Sequence, residues 1–232
     1  MACTIIFLFL LIGVYGQDSS DSANNFAYPC ESLDLDCIRD YFSHTGCREV
    51  SYEDGESIQK EMNVAYMPRL NGTLISTDVE VKFYGSTITK FYVNKDTNNL
   101  VLSINFEGMN INSPHGNLRI NQRGREPVYA EDKVNATYSG ELTAIIPWEG
   151  KRGIKEAHIS SYNTNPYPPI AVGPNISNSS NPVVANFYAA LLDDIPTEVQ
   201  ELLLTKAPYF FYVYFQNYIC DYGIEYTGEY PL

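Results

Sequence analysis

Apolar residues are distributed very differently along successive parts of this chain. Ile5 to Val14 is a nearly uninterrupted apolar run. As a helix its ten residues would rise only about 15 Å, half the thickness of a bilayer's hydrocarbon core. The run therefore reads as a secretory signal. Val14 and Gly16, small residues two apart, fit cleavage just before Gln17. Residues 17–29 stay polar until Phe26 and Tyr28 and read as a flexible leader into the first cysteine of the mature chain. Leu33, Cys37, Ile38, Tyr41 and Phe42 then recur on one helical face, which predicts a short amphipathic helix.

From Leu74 to Pro147 the period changes to two. Val79, Val81 and Phe83 alternate with Glu80 and Lys82, and Ile88 to Val93 continues beyond Gly85-Ser86. The Asp96–Asn99 cluster predicts a turn, after which Leu100, Leu102, Ile104 and Phe106 alternate strictly. The pattern weakens over Gly108–Ile120, passes a polar loop through Arg125, and resumes around Val134–Tyr138 and Leu142–Ile146. Long antiparallel strands joined by short turns are the simplest architecture. Residues 162–180, rich in Pro, Asn and Ser, read as a loop.

The carboxyl-terminal part turns helical. Asn181 can cap a helix with Pro182 at its first position, with Val184, Phe187, Tyr188 and Leu191 on one face. Asp193, Asp194 and Pro196 open another, with Val199, Leu202 and Leu203 on it and Pro208 behind it. Tyr209 to Tyr222 leaves almost no polar face; its length and the Gly223 beyond it favour a helix. A helix apolar all round is buried, either within its own fold or against a partner.

Composition narrows the function classes. Removal of residues 1–16 leaves about 216, read as one globular domain over 30–232. No later segment reaches the roughly 18 apolar residues of a membrane span. A net charge of −13 argues against nucleic acid or an anionic membrane as partner. The basic clusters Arg119–Arg125 and Lys151–Lys155 are short and read as solvated loops. His44, His115 and His158 form no zinc motif, no nucleophile elbow or phosphate-binding glycine pattern is present, and no cofactor is predicted. The acidic groups around Glu53–Glu56 and Asp193–Asp194 sit in polar sequence and read as solvated, so the expectation is a binding protein without catalysis.

Export changes the meaning of other residues. Cys3 leaves with the signal, and Cys30, Cys37, Cys47 and Cys220 remain for disulfides in an oxidising compartment. Four cysteines allow three pairings. A local Cys30–Cys37 bridge would leave Cys47 to reach Cys220, a long closure that stabilises by about 4–5 kcal/mol in the loop-entropy description. Asn71, Asn135, Asn175 and Asn178 each begin a glycosylation sequon, with Asn71 and Asn135 preferred. The aromatic excess, 19 Tyr and 11 Phe, is concentrated in the carboxyl-terminal run. That run reads either as the wall of a ligand cavity or as an outer patch for another protein. The patch would be carried by Phe210, Phe211, Tyr214, Phe215 and Tyr218.

The segment Pro29-Cys30 through Cys37-Ile38-Arg39-Asp40-Tyr41-Phe42, followed by Cys47, resembles the amino-terminal region of the lepidopteran fibrohexamerins. That resemblance implies a silk glycoprotein. Such a protein would associate non-covalently with the fibroin heavy and light chains in the silk gland lumen and help the complex stay soluble through secretion. The Cys-x6-Cys pair of Cys30 and Cys37 is also similar to the opening of the juvenile hormone-binding and takeout group. This second likeness implies an α+β fold in which a long curved antiparallel sheet wraps a carboxyl-side helix, with a disulfide-tied amino-terminal helix. It also implies an alternative function, carriage of a small hydrophobic ligand such as a juvenile hormone-like terpenoid. Cys47 and the altered carboxyl end depart from the takeout pattern. The fibroin reading predicts exposed aromatics over 209–222; the carrier reading predicts a cavity lined by Val81, Phe83, Leu102 and Ile104.

Overall fold

A computed structural model describes residues 25–50, 53–148 and 151–224. The signal segment and residues 17–24 of the leader lie outside them. Two hairpin-paired strands of unusual length form the spine, β5 (Asn99–Gln122) and β6 (Arg125–Pro147). Along the free edge of β5 run β4 (Thr87–Asn94), beside its first half, and β3 (Gly72–Tyr84), beside its second. Thus β3 and β4 continue one line, kinked at Gly85-Ser86. Gly85 takes φ 58°, and a Cβ there would lie 2.7 Å from the Glu107 side chain. The Asp54 carboxylate holds the kink by accepting from Gly85 N at 2.6 Å and Ser86 Oγ at 2.6 Å. Outside β3 lies β2 (Ile58–Met67), and β1 (Phe26–Ala27) pairs with β4. On the other edge β6 carries β7 (His158–Asn163) and β8 (Ile170–Val172). The sheet is antiparallel at every pairing.

Several expectations need correction. The weak stretch Gly108–Ile120 is part of the continuous 24-residue β5. Its alternation is broken because the register with β6 shifts between Phe106 and Met109 and again between Ser113 and Gly116. The polar loop through Arg125 is a two-residue turn, Arg123-Gly124, with Gly124 at φ 71°. Strand β2 was not anticipated: Glu61 and Met62 face solvent and Asn63 is buried, so no clean period survives. The end of the leader is not loose, since β1 pairs and the Phe26 ring meets Tyr92 edge-on at 5.3 Å. The short basic segment forms a helical turn, α2 (Lys151–Lys155), and the expected 162–180 loop contains β8 and α3 (Pro174–Ser177).

The amino-terminal helix α1 (Leu35–Ser43) is capped by Asp34, whose carboxylate accepts from Cys37 N at 2.8 Å. It buries Ile38 and Phe42. The helix α4 (Pro182–Asp193) starts at Asn181, whose side chain accepts from Val183 N at 2.9 Å, with Pro182 in its first turn. Pro208 does not end the next helix: α5 (Ile195–Tyr214) runs through it and widens into a π turn over Phe215–Ile219. Just before the proline, the Thr205 hydroxyl donates to the Glu201 carbonyl at 2.9 Å, with the Leu202 carbonyl also in reach at 3.1 Å, an added donor within this turn.

The chain therefore forms a long antiparallel sheet whose inner face is covered by α5. The inward residues Val79, Val81, Phe83, Leu100, Leu102, Ile104 and Phe106 are all sealed from water, as are Phe210, Phe211, Tyr214 and Phe215 opposite them. Phe83 meets Tyr214 edge-on at 5.1 Å, and Tyr214 stacks on Tyr218 at 4.7 Å. Phe42 brings α1 into the same cluster, edge-on to Phe215 at 5.0 Å. Such pairs add about 0.5–1.5 kcal/mol each beyond the burial itself. Phe215→Ala is expected to cost about 3–5 kcal/mol in urea unfolding, whereas Tyr129→Ala on the outer face should stay within about 0.5 kcal/mol. Similar losses for both would mean that α5 is not what the sheet packs on.

Candidate functional site

The expected partner patch is not a surface. Phe210, Phe211, Tyr214, Phe215 and Tyr218 are each 0% exposed. Their helix is apolar all round because it is enclosed all round, by the sheet on one side and by α1 and the chain after the π turn on the other. The expected cavity wall is displaced for the same reason. Val81, Phe83, Leu102 and Ile104 lie under these rings, which fill the space a ligand would need.

A cavity does exist, farther along the sheet, where the aromatic run has ended and α5 begins. Here the core divides: a second apolar cluster of Met67, Leu118, Ile120, Ile176, Val184 and Phe187 packs apart from the main one. Between the two clusters lies a partly open cavity of about 80 Å³. Its floor is the sheet, with Leu118 from β5 and Val134, Ala136 and Tyr138 from β6. Its roof is Phe187 and Leu191 of α4 with Val199 and Leu202 of α5, and Ile170 and Ile176 close one side.

Local chemistry places each wall. The ring of Phe187 lies directly over Gly72, where a Cβ would stand 2.3 Å from it, so a side chain at this position would displace the ring from its place on the sheet. The Asp132 carboxylate accepts from Asn175 N at 2.6 Å and fixes α3, which aims Ile176 inward. The lining is apolar apart from the hydroxyls of Tyr138 and Tyr188 and one charged residue among the described ones, Glu198. Burial pushes the Tyr138 hydroxyl above the usual tyrosine range.

Glu198 lies in the first turn of α5 with only 5% of its surface exposed. Its Oε1 makes no hydrogen bond among the described residues. The nearest cation, Arg69, places Nε 3.9 Å from that oxygen and gives a hydrogen bond to Asp194 instead. Burial raises the Glu198 carboxyl above the usual carboxylate range; Glu201 and Asp194 push the same way and Arg69 opposes them. The sequence held a signal for this group. Glu198 and Lys206 stand on the same helical face as Val199, Leu202 and Leu203, and charges on an apolar stripe are exceptional.

The other predicted residues fall as follows. Cys30 is bonded to Cys37, and Cys47 to Cys220 across 173 residues of sequence. Reciprocal backbone bonds between Arg48 and Asp221 extend the second junction. Asn71 is exposed in a left-handed conformation ahead of Gly72, and Asn175 and Asn178 are exposed at α3. Asn135 is half-buried in an amide ladder on the outer face, donating to Asn112 and accepting from Asn110. His44, His115 and His158 are exposed. Among the described residues no group of three His, Cys, Asp or Glu could hold a metal, and no helix is long and apolar enough to cross a membrane.

No protein-family model and no curated protein sequence matches the chain. Among solved structures, the Takeout 1 protein of Epiphyas postvittana is similar to it with a TM-score of 0.43 and 9% identity, over 82% of this chain and 93% of that one.

The second buried charge on α5 yields a pH dependence. Burial pushes the Lys206 ammonium down to about 8, against about 10.4 for an unfolded chain. Between those values the unfolded state binds the extra proton, so stability rises with pH across the window and sits at its lower level below it. The unfolding free energy of the natural protein minus that of Lys206→Met should therefore rise by on the order of 2 kcal/mol from about pH 7.5 to 10. Groups common to both proteins cancel in this comparison, and a flat difference would show that Lys206 does not titrate as a buried group.

Proposed function

We propose that this chain is an exported binding protein without catalytic activity whose cavity beneath α4 receives a small hydrophobic ligand. The observation that carries the reading is the cavity itself: an apolar, partly open space between two core clusters, in a region where close packing is the rule. Its size limits the cargo. Pockets for drug-sized molecules run to about 300–1,000 Å³, and this one is about 80 Å³. It accepts a slender aliphatic group or the tail of a longer molecule, with the remainder outside the mouth. The two disulfides fit an extracellular setting. Glycans at Asn71, Asn135, Asn175 and Asn178 belong to the same reading, and a mass shift on treatment with a glycosidase measures their occupancy.

Ala136→Phe fills the floor of the cavity. It should weaken displacement of a bound hydrophobic fluorophore by an aliphatic ligand at least tenfold, with an overpacking cost of about 1–3 kcal/mol in stability. Equal binding by the natural and filled proteins would place the ligand elsewhere and overturn the reading.

A second reading is association with the fibroin heavy and light chains in the silk gland lumen. It rests on the likeness of the Cys30–Phe42 segment. It also needs a surface other than 209–222, and Tyr28, Tyr66, Tyr84, Tyr129, Tyr162 and Tyr167 supply outward aromatic rings, each at least 42% exposed. Purification without detergent separates the two. Large silk chains that leave with denaturant but without reductant support this reading, and a monomer with one extractable lipid counts against it.

A further inference from the structure

The cavity has a polar end as well as an apolar body. Glu198 is the one charged residue that lines the cavity among the described residues, and its Oε1 is buried there without a hydrogen bond, while the rest of the lining is apolar apart from the Tyr138 and Tyr188 hydroxyls. Three carboxylates, Glu198, Glu201 and Asp194, gather near this end against one guanidinium, Arg69. One oxygen of Glu201 is likewise buried without a hydrogen bond among the described residues. Arg69 does not complete the set, because it is about half exposed, its terminal nitrogen is engaged by Asp194, and its Nε stays beyond hydrogen-bond distance of Glu198. A buried acceptor left unpaired is costly, and a ligand that brings its own donor removes the cost. The excess of negative charge favours a donor that is also a cation.

We infer that the cavity is built for an aliphatic amphiphile with a protonated amine, its tail between Phe187 and Ala136 and its ammonium group against Glu198. The inference rests on the cavity reading above and adds the chemical class of the ligand. An alcohol of the same length can donate one hydrogen bond but carries no charge, and a fatty acid would bring a further negative charge to a group in which carboxylates already outnumber the one guanidinium. The order of affinity is therefore amine, alcohol, carboxylate.

The test uses n-octylamine, n-octanol and n-octanoate with the full secreted protein and its Glu198→Gln variant, near neutral pH and at moderate salt. In the natural protein octylamine should bind at least about tenfold tighter than octanol, the range expected for a hydrogen bond to a charged group. In Glu198→Gln the two should come within about threefold of each other, because the amine loses far more than the alcohol when the carboxylate is neutralised. An amine preference that survives the substitution reflects general attraction to an acidic protein and overturns the inference, as do equal affinities in the natural protein. That last comparison decides the matter even where the variant folds poorly. Binding of all three without preference leaves the cavity reading standing; binding of none removes both.

Discussion

The structure depends on enclosing one aromatic helix. The second half of α5 and the π turn after it present large rings in every direction, and no single sheet face can cover such a surface. The sheet must therefore extend along it on one side, and other parts of the chain must close the opposite side. Phe42 of α1 does part of this at 5.0 Å from Phe215, and the Cys47–Cys220 bond ties the region after α1 to the residue that follows the π turn. Burying each large apolar side chain is worth about 1.5–3 kcal/mol, so this cluster is a large contributor to the favourable side of folding. It also explains why the cavity is small. Where the rings are, the interior is full, and the apolar cavity lies instead near the start of α5, beside Val199 and Leu202.

Sequence patterns revealed elements wherever a single period held over several residues. Val79–Phe83 and Leu100–Phe106 alternate because they lie on uninterrupted ladders, and the Asn181-Pro182 cap is local chemistry that needs no tertiary information. The pattern failed where the sheet bends. Each register shift along β5 flips the side on which the next apolar residue falls, so the long strand looked like a weak one. Strand β2 was hidden by exposed Met62 and buried Asn63, a reversal of the usual sides. Pro208 gave the opposite error, since a helix can pass a proline when the surrounding contacts compensate.

The candidate site was half legible. The face formed by Val184, Phe187 and Leu191 was visible in α4, but its partners come from strands up to about 120 residues earlier, Met67 and Leu118 among them. Only the fold brings them together. The aromatic run, the most conspicuous feature of the sequence, misled in one respect: composition reports that much apolar surface exists, whereas topology decides which way it faces. An outward patch and an inward plug have the same residues.

The order of the elements along the chain has a consequence for how the protein is made. All the strands, residues 26–172, leave the ribosome before α5 and the π turn, residues 195–219, that cover the sheet. Until those residues emerge, Val81, Phe83, Leu102 and Ile104 have no native cover, and Cys47 waits for a partner 173 positions away. Throughout synthesis the nascent chain thus carries an open apolar trough and an unpaired thiol. Transiently exposed apolar surface of this kind favours aggregation, and the last residues of the helix remove it as they close the trough.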